Sequence, residues 1–90
     1  MSTHDGHRQR LKKRFRTEGL DHFDEHQVLE LLLYYVIPRK DTNIIAHDLI
    51  DRFGNLSQVL EAQPEEVAKG SGIGDAAATV LSLITSVSRY

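Results

Sequence analysis

Ninety residues, 40% of them apolar and 27% charged, make one small folded domain, and a chain this short removes only roughly 60% of its unfolded surface from water. The absence of cysteine excludes a disulfide framework and thiolate zinc sites, and fits a reducing compartment such as the cytoplasm. The net charge of −2 hides a polarity, because residues 1–20 carry +4 and residues 21–90 carry −6.

The longest apolar stretch, Leu31 to Ile37, has seven residues, whereas a membrane span needs about 20. The basic N-terminus leads to no apolar segment of the kind that defines a signal peptide. Periodicity predicts six helices and no strand. The first runs from about His4 to Thr17, with Leu11 and Phe15 on one face, and Gly19 ends it. Asp24 followed by Gln27 is a capping-box pair. The helix it starts, Gln27 to about Val36, is apolar nearly all round, as only a central, enclosed helix can be. Pro38 stops it. Asp41 or Thr42 caps a third helix that ends at Phe53 and Gly54, with Ile45, Ala46, Leu49, Ile50 and Phe53 on its stripe. A short helix follows from Asn55 to Leu60, and Pro64 suits the first turn of another. The last runs from Asp75 to about Ser88, with Ala77, Val80, Leu81, Ile84 and Val87 at helical spacing.

The most specific local feature is Gly72-Ile73-Gly74 between two of these helices, with Ala78 four residues beyond. The first glycine allows a reversal with positive φ, Ile73 plugs the hairpin, and the second glycine allows a backbone close to a ligand. The amides that open the next helix lack intrahelical acceptors and form an anion site, for which a nucleic-acid phosphate is the expected occupant. This arrangement resembles the helix-hairpin-helix motif of DNA-binding proteins. A degenerate first copy spans residues 24–53, with Arg39 and Lys40 in its loop, and the second spans residues 64–88. The pattern departs from the motif at Gly70, where an apolar residue is usual, and at Asp75, Ala76 and Ala77, where a small residue and a lysine are common.

Further clusters in order, His7-Arg8-Gln9-Arg10-Leu11, Leu29-Glu30-Leu31-Leu32-Leu33-Tyr34 and Ile37-Pro38-Arg39-Lys40-Asp41-Thr42, are similar to the N-terminal region of the RadC-like family. The resemblance covers roughly residues 7–85. It implies an all-α bundle of five to six short helices, like a tandem helix-hairpin-helix domain, with a loose association to DNA repair. In that family the region precedes a metal-binding JAMM/MPN-type domain. The present residues stop before any such segment, so no hydrolase activity and no cofactor are expected of them.

The expected nucleic-acid-binding residues are Gly72, Ile73 and Gly74 at the hairpin, Arg8, Arg10, Lys12 and Lys13 on the basic first helix of residues 1–20, and Arg39 and Lys40. Each also has an ordinary reading, as turn residues or a solvated helix face. Five histidines show no metal-ligand spacing. Tyr34 and Tyr35 are expected in the core or at its edge, since a stacking surface needs exposed aromatics interleaved with basic residues. No nucleophile has an activating context. Two roles therefore compete: non-specific contact with the DNA backbone, or docking of a partner protein domain without nucleic acid. Neither a membrane nor a small-molecule substrate is expected.

Overall fold

Capping residues set the limits of the helices. The computed structural model describes residues 3–38, 40–69 and 72–90, with side chains from residue 6 onward. The helices are α1 (Thr3–Glu18), α2 (Glu25–Tyr34), α3 (Thr42–Phe53), α4 (Leu56–Glu61), α5 (Pro64–Val67) and α6 (Asp75–Arg89), and no strand occurs among the described residues. The fold is all-helical. Gly19 closes α1 at φ 75°, where a side chain would be strained. At the start of α2 the Asp24 amide donates to Gln27 Oε1 at 3.0 Å. Asp41 caps α3 by accepting from the Asn43 and Ile44 amides at 3.1 and 3.4 Å. Asn55 does the same for α4 through the Gln58 amide at 2.9 Å, and Pro64 opens α5.

Helix α2 is central, packed on α1, α3 and α4. Its Leu29 and Leu33 are fully buried, together with Leu49 of α3, Val59 of α4, Val67 of α5 and Leu81 of α6. This main core draws on every helix except α1. A second, smaller cluster of Leu11, Leu31 and Tyr34, with Phe23 against it, holds α1 to the other side of α2. The radius of gyration, 12.6 Å, is close to the roughly 12 Å expected of a folded chain of this length.

Three sequence expectations need correction. Helix α2 ends at Tyr34, so the periodicity that placed Tyr35 at the core edge stops before it, and Tyr35 is 68% exposed. Val87 belongs to the apolar stripe of α6 by spacing but stands exposed with Leu83 one turn before it, while Thr85 and Arg89 at this end of α6 meet Leu60 and Glu61 of α4. Phe15, one turn from buried Leu11, is also exposed.

Candidate nucleic-acid interface

The loop between α2 and α3 and the connector between α5 and α6 meet. Lys40 Nζ donates to the Gly72 carbonyl at 2.7 Å, across 32 residues of chain. An ammonium has three protons, so this bond does not exhaust it. Gly72 has φ 72°, in the left-handed region that a chain reversal uses and that side chains resist. Ile73 is buried, so only its backbone can meet a ligand. Gly74 has φ −81° and N-caps α6 without a side chain to offer. A Cβ built there would meet nothing within 4 Å, so nothing in the fold itself demands glycine. Asp75 is the first residue of α6 and exposed. Arg39 and Gly70 lie outside the described residues.

The cations of α1 divide among three directions. Arg8 points inward: it is 7% exposed, donates to the Tyr34 and Lys40 carbonyls at 3.3 and 2.9 Å, and lies 4.8 Å from the Tyr34 ring centroid. The expectation that Arg8 meets phosphate is therefore replaced by a structural one. Arg14 lies over Phe23 at 4.4 Å. Arg10 and Lys13 are exposed, and Lys12 sits over the exposed Tyr35 ring at 4.8 Å. Lys12, Lys13, Arg16 and Tyr35 share a groove with Gln9 and Thr17. Sequence reasoning missed Tyr35 as a member of this surface. The signal was available: an aromatic three residues before Pro38 stands near a helix end.

Arg8 belongs to a polar junction between α1 and α2. Glu30, 2% exposed, accepts from Asn43 Nδ2 at 3.3 Å and faces His7 Nε2 at 3.4 Å. Arg8, Glu30, Tyr34, Arg10 and Lys40 line a cavity of 320 Å³ there. Burial pushes the Tyr34 phenol well above its ordinary pKa of 10.0, and the Glu30 carboxylate raises it further. The folded state thus keeps a proton that the unfolded chain releases above about pH 10. Stability from this group is complete below that pH and is lost as pH rises through the folded-state value. In urea titrations at about pH 9 and about pH 11, the native chain should lose more stability than Tyr34→Phe. Equal losses would contradict the assignment.

His26 and His47 stack with ring centroids 4.3 Å apart, but no group of three metal-ligating residues forms among the described residues. Among the same residues, no helix is long and apolar enough to cross a membrane.

The chain is similar to a UPF0758 protein of Fusobacterium nucleatum, at 42% identity over 79 residues, which are 88% of this chain and 34% of that relative. It is also similar to a UPF0758 protein of Ruegeria pomeroyi, at 40% identity over 78 residues, 87% of this chain and 35% of that relative. The chain thus spans about a third of the length of these curated relatives. No family model matches it, and no solved structure matches it.

Proposed function

We propose that this domain contacts the DNA backbone without reading sequence, as a non-catalytic helix-hairpin-helix part of a RadC-like protein. The reading is supported by the meeting of the two loops. Lys40 sits on the Gly72 carbonyl, two residues before Gly74, the N-cap of α6. A cation and the amides of a helix amino end then lie side by side, the combination that binds phosphate. Asp75 at the same end repels an anion and keeps the contact weak. Affinities on the order of 10⁻⁴ to 10⁻⁶ M at physiological salt follow.

The experiment is a fluorescence-anisotropy titration of duplex DNA at low salt with the native chain and Gly74→Leu. The substitution meets open space at a φ any residue adopts, so thermal stability should change by less than about 1 kcal/mol. A leucine in front of the α6 amides should nevertheless weaken duplex binding several-fold. Unchanged binding would remove the hairpin from the interface, and no binding by the native chain would remove the DNA role.

A second reading, docking of a partner domain, is favoured by Leu83 and Val87. These are 55% and 66% exposed and lie one turn apart on α6. Exposed apolar residues in sequence on one helix suit a protein partner better than DNA. Replacing Leu83 and Val87 by serine separates the readings, since it weakens docking and spares duplex binding.

A further inference from the structure

We infer that the groove between α1 and the end of α2 is a stacking platform for an unpaired base, with Tyr35 as the stacking ring and the α1 cations as the phosphate contacts. The inference rests on the nucleic-acid reading above and narrows it, at a surface distinct from the α6 amino end, to single-stranded segments.

The first ground is charge. The groove is lined by Gln9, Lys12, Lys13, Arg16, Thr17 and Tyr35. Among the described residues that is three cations and no carboxylate, on a chain with 13 acidic residues and a net charge of −2. Elsewhere cations of the same helix are committed to the protein, Arg8 to two carbonyls and Arg14 to Phe23. Lys13 and Arg16 are exposed instead. Residues 9, 12 or 13, and 16 recur on one face of α1, so polar groups repeat along the groove about every 5 Å.

The second ground is the ring. Tyr35 caps α2 with its backbone, a task that needs no aromatic side chain, and it is 68% exposed while the adjacent Tyr34 is 5% exposed. Its single described ring contact is the Lys12 ammonium, 4.8 Å from the centroid. Such a contact at an exposed site is weak, and the lysine can turn to a phosphate. One exposed aromatic lies among three cations here, the two kinds of group with which proteins bind single strands by stacking a base and following the backbone. A base within a duplex keeps both faces stacked on its neighbours, so it must be unpaired to lie on Tyr35.

The test uses the 90-residue chain and anisotropy at low salt, with labelled oligothymidylate of about 12 nucleotides, a duplex, and polyglutamate as an anionic competitor. Tyr35→Ala should weaken single-strand binding by roughly 5- to 150-fold, the range of one lost stacked base, and leave duplex binding unchanged. Tyr35→Phe should retain single-strand affinity, and the Tyr35 ring protons should move upfield in NMR spectra when the strand is added. If Tyr35→Ala leaves single-strand binding unchanged while duplex binding persists, the platform is refuted and the backbone reading stands. Competition by polyglutamate as strong as by unlabelled strand likewise refutes it, because a mere anion patch would behave so. Failure of both nucleic acids to bind sinks the backbone reading and the platform with it.

Discussion

Arg8→Met should lower stability by about 2–4 kcal/mol, a far larger effect than a surface cation gives. The guanidinium holds the Tyr34 and Lys40 carbonyls, which lie on the central helix and in the loop that follows it. Methionine fills much of the space and supplies no donor, so both carbonyls lose a charged partner. Glu30, 2% exposed, also loses a positive charge that lines the same cavity, while Asn43 and the half-exposed His7 remain against it among the described residues. Taking a charged donor away from buried acceptors is among the more damaging changes a small domain can suffer. Lys13→Met is the control, since Lys13 is exposed and should shift stability by less than about 0.5 kcal/mol. The check is chemical denaturation of both variants. Equal, small losses would mean that Arg8 is a surface cation after all.

Leu33→Ala should cost about 2–5 kcal/mol. Leu33 is fully buried and lies in the main core beside residues from five helices. The deletion removes several buried methyl and methylene groups and leaves a cavity that rigid helices close only in part. A chain of this size has about 5–13 kcal/mol of total stability, so the loss is a large share of it. The thermal midpoint should fall by at least roughly 10 °C, measurable by circular dichroism at 222 nm. The exposed Leu20 offers the comparison: Leu20→Ala should move the midpoint by only a few degrees. A Leu33→Ala shift that small would show that the core is not built around this position.

The helices were legible because their limits are written in single residues. Asp24, Asp41, Gly19, Gly54 and Pro64 each act on the backbone within one turn, and the structure places them at helix ends. The central place of α2 was legible too, since an all-round apolar helix has to be enclosed. Directions were not. Whether Arg8 points inward depends on how α1 rotates against α2, and Leu11 alone does not set that rotation. Glu30 carried a signal that composition obscured: a lone carboxylate within an apolar run has to find buried partners. Tyr35 was misplaced because an apolar run was read past the true end of its helix. At the proposed interface the glycine geometry could be anticipated. The bond from Lys40 to Gly72 joins loops 32 residues apart, and no local pattern encodes such a meeting.

The division of the interior into a large cluster without α1 and a small one that holds it gives the molecule unequal cohesion. Few apolar contacts retain the first helix, so it can detach at a lower free energy than the remaining five can melt. The basic groove exists only while that helix is docked, because one wall belongs to α1 and Tyr35 belongs to the other side. A strand seated between them would act as a clasp, and part of its binding energy would appear as tighter closure of the protein around it.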